Sequence, residues 1–197
     1  MPNPLATARS LLFVPATRSD RMVRALQSGA DLVVCDLEDA VPPDQKDAAR
    51  AHLAQRLHAL ASPDRARCVV RINAAETTWH SADLKALAPL LDAGLGGVMV
   101  PKSEQVGALA MVAQALGPQA ALIALVESLA GWDALDRLAT ADQVHRLAFG
   151  HLDFQLDLGM RCEPGERELD AVRFAFVAAS RRAGLPAPID GVTTATT

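Results

Sequence analysis

Tyrosine is absent from the 197 residues, and two Trp and five Phe bring the aromatic share to only 4%. No run rich in Lys or Arg alternates with stacking aromatics, and the net charge is −4, so nucleic acid is not an expected partner. The three cysteines, Cys35, Cys68 and Cys162, show no C-x-x-C spacing, which argues against a disulfide framework and fits a reduced, cytoplasmic compartment. Long apolar runs are also missing. Pro15 interrupts residues 11–14, and Gly117-Pro118 splits the most apolar window, 108–126, so neither a signal peptide nor a membrane span is expected. No loop is built to cradle phosphate: Gly94-Leu-Gly-Gly97 precedes a strand, whereas a dinucleotide loop follows one, and no G-x-x-x-x-G-K-[ST] run exists.

What remains is a chain that is 50% hydrophobic and dominated by alanine, leucine and valine, the composition of buried parallel strands wrapped in alanine-rich helices. Its length suits one domain over 1–197. The most informative stretch is 121–126, a continuous apolar run of strand length bounded by Gly117-Pro118 and closed by Glu127. The run 146–150 repeats the design with Asp153 just beyond, and 31–39 repeats it with Asp36, Glu38 and Asp39. In parallel α/β folds the C-terminal strand ends share one side, so acids gathered there suggest a divalent metal.

Strands are predicted at 10–16, 32–37, 68–73, 97–102, 121–126, 146–150 and 186–192. Helices are predicted near 21–27, 45–60, from Ser81 or Asp83 to 91, 104–116, 132–138 and 166–183, with residues 1–8 as an untethered tail. Alternation every 25–30 residues or so means βαβ units and a parallel sheet, either open and doubly wound or closed as a (β/α)₈ barrel. Acids at several strand ends favour the barrel, where those ends converge on one mouth. Length weighs against a complete one, which takes about 250 residues.

Arg9-Ser-Leu-Leu-Phe-Val-Pro15 with Arg18 and Arg21, Ser28-Gly-Ala-Asp31, Asp36-Leu-Glu-Asp-Ala-Val41, Val70-Arg-Ile-Asn73, Val100-Pro-Lys102, Leu125-Val-Glu127, Phe149-Gly-x-x-Asp153 and Asp190-Gly191 follow one another in a familiar order. Together they resemble the citrate lyase β-subunit-like family of the HpcH/HpaI aldolase group, over nearly the whole chain. The resemblance implies a TIM-type (β/α)₈ barrel, here lacking its last strand and C-terminal segment, in a homo-oligomer (trimer or hexamer). It implies Mg²⁺ held by Glu127 and Asp153, and a carbon–carbon lyase acting on a β-hydroxyacyl thioester of coenzyme A or an acyl carrier to release a 2-oxoacid. It assigns Arg71 to the substrate carboxylate. Asp36, Glu38 and Asp39 join the catalytic group, holding metal-bound water or orienting Arg71, and Arg18 faces a carboxylate or thioester phosphate.

Bland readings stand beside each assignment. Glu127 and Asp153 also suit helix first turns, Arg71 suits a strand-end ion pair with Asp36 or Glu38, and Lys102 suits an exposed rim better than a Schiff base. His151, just past strand six, either points into the mouth or packs away from it. The chain also departs from the family pattern. Ser128-Leu-Ala-Gly131 lacks an arginine common in relatives, Pro15-Ala16 replaces Pro-Gly, and relatives continue past the position of Thr197. A thioesterase, an aldolase on free 2-oxoacids or a non-catalytic binding subunit therefore remain alternatives.

Overall fold

The computed structural model describes residues 4–193. It opens with a short helix α1 (Pro4–Thr7), followed by β1 (Leu11–Pro15), α2 (Met22–Leu26), β2 (Leu32–Asp36), α3 (Lys46–Ala59), α4 (Ser62–Arg65) and β3 (Cys68–Arg71). The chain continues through α5 (His80–Asp92), β4 (Gly97–Val100), α6 (Val106–Leu116), β5 (Leu122–Val126), α7 (Leu129–Asp133), α8 (Leu135–Ala139), β6 (Val144–Phe149), α9 (His151–Asp157) and α10 (Asp170–Arg182). Short 3₁₀ turns precede α2, α3 and α10.

All strand pairs are parallel, and the order in the sheet is the order in the chain, β1 to β6. A doubly wound sheet reverses its strand order part-way; this one never does. The two faces of the sheet are accordingly unequal. Val33, Cys35, Val70, Val98, Leu122, Ala124, Leu147 and Phe149 pack against Leu53, Leu57, Leu87, Leu109, Val112, Leu138 and Phe176 of the helices. The alternate residues, Leu32, Val34, Val69, Met99, Ile123, Leu125 and Ala148, form a second, smaller core with Leu5 and Ala8. Every second side chain of a strand points the same way, so one period-two pattern builds both cores.

Two expectations need correction. Residues 4–8 are not an untethered tail: Leu5 and Ala8 are buried beneath the inner face, and their carbonyls accept hydrogen bonds from the buried Arg146 guanidinium at 3.1 and 2.8 Å. The same guanidinium donates to the Ala187 carbonyl at 2.9 and 2.6 Å. Residues 1–3 of the expected tail lie outside the described residues. The seventh strand shrinks to one bridge, Ala148 to Ile189, with Ile189 N–H donating to Leu147 and its carbonyl accepting from Phe149, each at 2.9 Å. Pro186 and Pro188 both precede that point and have no N–H to extend a ladder.

The six-stranded parallel sheet is not closed among the described residues. A groove of about 730 Å³ separates 8–13 from 187–193. Among the described residues, no helix is long and apolar enough to cross a membrane.

Candidate functional site

The inner-face alternation carries on past the apolar residues. Two positions beyond Val34 is Asp36, two beyond Val69 is Arg71, two beyond Leu125 is Glu127, and two beyond Ala148 is Gly150. One rule, a side chain every second residue, therefore delivers two acids, an arginine and a glycine to the same end of the sheet.

Asp36 and Arg71 are neighbours in register. The arginine's Nε and one NH₂ group both donate to the Asp36 carboxylate at 2.7 Å, a planar fork on a planar acceptor. Asp36 also accepts the amides of Glu38 and Ala40 at 2.9 and 3.0 Å, which folds 36–40 over the strand ends. The remaining guanidinium nitrogen lies 3.0 Å from Glu38 Oε2 and 3.3 Å from Asp39. The approach to Glu38 misses the N–H direction, leaving Oε2 buried without a hydrogen bond. Phe13 covers one face of the guanidinium, 5.5 Å from ring centre to carbon. Burial pushes the Glu38 carboxyl up to about 8; Arg71 opposes the shift, and Asp39, Glu127 and Asp36 add to it.

Glu127 leaves β5 with Oε1 accepting the Lys102 amide at 2.8 Å. The residue giving that amide holds φ +48°, a left-handed conformation rare for lysine. Its backbone serves the site, while its side chain stays exposed, as the rim assignment anticipated. Oε2 of Glu127 rests against Gly150, where an added Cβ would meet it and the Glu127 Cβ at 2.6 Å. We therefore expect Gly150→Ala to displace the Glu127 carboxylate, costing about 1–3 kcal/mol by overpacking and weakening cation binding at this site. Urea unfolding and Mg²⁺ titration check both effects; unchanged cation affinity would refute the steric account. Burial lifts Glu127 to about 7, against the Lys102 amide and with Asp153 adding to the rise.

Asp153, in the first turn of α9, makes no hydrogen bond or ion pair with any described residue. It lines a cavity of about 220 Å³ with Glu127, Arg71, Asp39, His151, Asp190 and the apolar Phe13, Met99, Leu125, Ile189 and Val192. The described residues hold no cluster of three or more His, Cys, Asp or Glu able to bind a metal. Two carboxylates, one with a free oxygen and one wholly unpartnered, nevertheless fit Mg²⁺, which takes hard oxygen ligands, commonly one or two carboxylates, and keeps several waters.

The remaining sequence candidates divide. Asp36 and Glu38 sit behind Arg71, outside the cavity lining; Asp39 stands at the mouth. Arg18 is not brought into the group: it is half-exposed and pairs with Asp20 at 3.1 Å. His151 does face the cavity, and its Nε2 lies 3.2 Å from Glu166.

Sequence reasoning missed the support of the 36–39 loop. The buried Lys46 ammonium donates to the carbonyls of Leu37 and Glu38, each at 2.8 Å, and to Asn73 at 2.5 Å. Asn73 is held by the fully buried Asp83, itself bound by Arg50 at 2.7 Å. Nothing in the spacing of a lysine on α3 and an aspartate on α5 announces this, because the partners meet only through the fold.

With this geometry in place, comparison with known proteins is informative. The family model for HpcH/HpaI aldolase/citrate lyase matches residues 9–197. The chain belongs to this family. Within it, a citrate lyase subunit beta-like protein of Deinococcus radiodurans is 38% identical over 98% of the chain and 68% of its own length. A (3S)-malyl-CoA thioesterase of Cereibacter sphaeroides is 33% identical over 93% of the chain and 62% of its own. Against such curated family members the chain thus spans roughly two thirds of their length. Among solved structures, the citrate lyase beta subunit of M. tuberculosis complexed with oxaloacetate and magnesium superposes with a TM-score of 0.80 at 32% identity, covering 98% of this chain and 82% of that one. Homologous structures in the family thus hold magnesium.

Proposed function

We propose that the chain is a Mg²⁺-dependent carbon–carbon lyase that cleaves, or in reverse forms, a β-hydroxyacyl thioester, giving a 2-oxoacid and an acyl thioester. The observation that carries this reading is the pair Glu127 and Asp153, unneutralised and facing one cavity with Arg71. Consecutive parallel strands and the bridged segment at Ile189 support taking the sheet as the larger part of a (β/α)₈ barrel in a single domain. Magnesium held by Glu127 and Asp153 would act as a Lewis acid toward the substrate's hydroxyl or keto oxygen.

The chain's own residues do the rest. Asp36 and Glu38 fix Arg71 from behind, and its outward edge receives the substrate carboxylate as Asp39, the longest and most exposed of its partners, swings aside. Asp39 takes the hydroxyl proton. The bond between the hydroxyl-bearing carbon and the thioester α-carbon breaks, its electron pair passes to the thioester fragment as an enolate, and Asp39 returns the proton to that carbon. The apolar walls keep bulk water from the enolate.

Incubation with malyl-CoA or citryl-CoA tests the reading. A 2-oxoacid should appear only with Mg²⁺; free thiol without oxoacid points to a thioesterase, the activity named for the Cereibacter relative. Absence of both products would leave a binding subunit.

Glu38 adds a pH signature. Its carboxyl rises from 4.5 to about 8 on folding, so between these values the folded chain binds more protons than the unfolded one. Stability must therefore fall as pH climbs through this window and level off above it. Glu38→Gln keeps the shape of the protonated acid and removes this share of the slope. In metal-free buffer the variant should match the parent near pH 4.5 and exceed it above pH 8 by on the order of a few kcal/mol. Parallel urea midpoints at both pH values would contradict the burial argument.

A further inference from the structure

Three sulfur atoms gather inside the larger core, on the helix-covered face of the sheet and apart from the strand-end cavity. Cys35 on β2, Cys68 at the start of β3 and Met22 at the start of α2 all belong to that core. None of the three is more than 1% exposed. The Cys35 thiol donates to the Met22 thioether, Sγ to Sδ 3.5 Å, and the Cys68 thiol is its other polar neighbour. Cys68 in turn donates to the Asp64 carbonyl at 3.4 Å.

Two familiar roles for such a pair of cysteines fail on geometry and charge. Both are free thiols, and the register sets Cys68 opposite Val33, so Cys35 lies one strand across and two residues along. That step separates Cα atoms by about 8 Å, beyond the roughly 7 Å that a disulfide tolerates. Nor is Cys35 a nucleophile: the Cys68 thiol and burial hold its own thiol well above the usual range, which leaves no thiolate to attack with. What the trio does offer is three polarizable sulfurs in one dry place, which no set of aliphatic side chains supplies.

We propose that Cys35, Cys68 and Met22 form a buried site for a soft monovalent cation, copper(I). Thiolate and thioether ligands select such an ion over the hard Mg²⁺, and structural zinc closes on four ligands where three sulfurs stand here. Copper takes the place of the proton between Cys35 and Met22, and that proton leaves to solvent. One positive ion then meets one thiolate, so the core gains no net charge. Cys68, its proton held by the Asp64 carbonyl, and Met22 complete the set through sulfur lone pairs. Three metal–sulfur bonds of about 2.3 Å in a plane spread the sulfurs to about 4 Å, a small step from the spacing found. Entry is local, because Met22 begins a helix of five residues that follows a largely exposed turn over 16–21, and so short an element opens without the sheet.

Anaerobic titration of the reduced full chain with copper(I), in competition with the chromogenic chelator bicinchoninate, tests the site. One copper per chain should leave the chelator, and X-ray absorption should show sulfur neighbours alone, near about 2.3 Å. Met22→Leu, which conserves volume, should weaken binding by about tenfold, and Cys35→Ala by about 100-fold or more. Cys162→Ser, which changes the more exposed thiol, should leave the affinity unaltered. Far-UV circular dichroism and urea midpoints establish that each variant is folded. A parent chain that takes no copper from the chelator overturns the proposal, as does copper that is lost with Cys162 or retained at parental affinity by folded Met22→Leu and Cys35→Ala.

Discussion

Replacing Glu127 by alanine should abolish Mg²⁺-dependent oxoacid binding, and Asp153→Ala should do the same. Each substitution removes one of the two carboxylates proposed to hold the cation. Loss of a neighbouring supporting group already costs 10–100-fold at metal sites, so loss of a ligand should weaken Mg²⁺ by about 100-fold or more. The two variants should differ in stability. Glu127 is buried and lifted to about 7, so alanine there relieves an unfavourable group in the metal-free protein. Asp153 is partly exposed and unpartnered, so its removal should move the urea midpoint little. Isothermal titration of oxoacid with and without Mg²⁺ reads the first effect and urea denaturation the second. Metal-dependent binding that survives in either variant would disprove the assignment of the pair.

Arg71→Ala should be the most destabilising single change at the site. Asp36 is 1% exposed, and the guanidinium is the charge that compensates it. Removing one partner of a buried ion pair leaves the other uncompensated, at about 3–5 kcal/mol. Arg71→Lys separates stability from recognition: an ammonium retains the charge but cannot reproduce the fork on Asp36. It should recover part of the lost stability while oxoacid binding stays weakened by tenfold or so. Full recovery of binding by lysine would show that charge alone, not geometry, is what the ligand reads.

Much of this architecture could be read in advance, for a physical reason. A buried parallel strand is an unbroken apolar run, and a polar residue two steps past its last inward side chain must sit on the rim; Leu125-Val-Glu127 and Val34-Cys-Asp36 both carry that signal. Asp36 and Glu127 were legible on those terms and Asp153 as an acid just beyond β6, whereas Arg71 entered through the family resemblance. What lay hidden was set by tertiary contact. Leu5 in a proline-bearing N-terminal segment gives no sign that it seals the inner core. The prolines at 186 and 188 marked a turn as easily as a strand. A pairing of Arg71 with Asp36 or Glu38 was among the readings, but that Asp36, Glu38 and Asp39 all meet it at once depends on how 36–40 folds back over the sheet, which no spacing encodes, and the same holds for Gly150 beneath Glu127.

Arg146 gives the molecule a further property. Its guanidinium joins the carbonyls of Leu5 and Ala8 at one end of the described chain to Ala187 at the other, and its hydrogen bond to Leu5 alone spans 141 positions in sequence. Neither end can detach without stranding a buried cation, so the first helix and the last bridged segment should open and close as one cooperative unit. In hydrogen exchange the amides at both ends would then share a single opening free energy, despite being the parts of a chain that ordinarily fray independently.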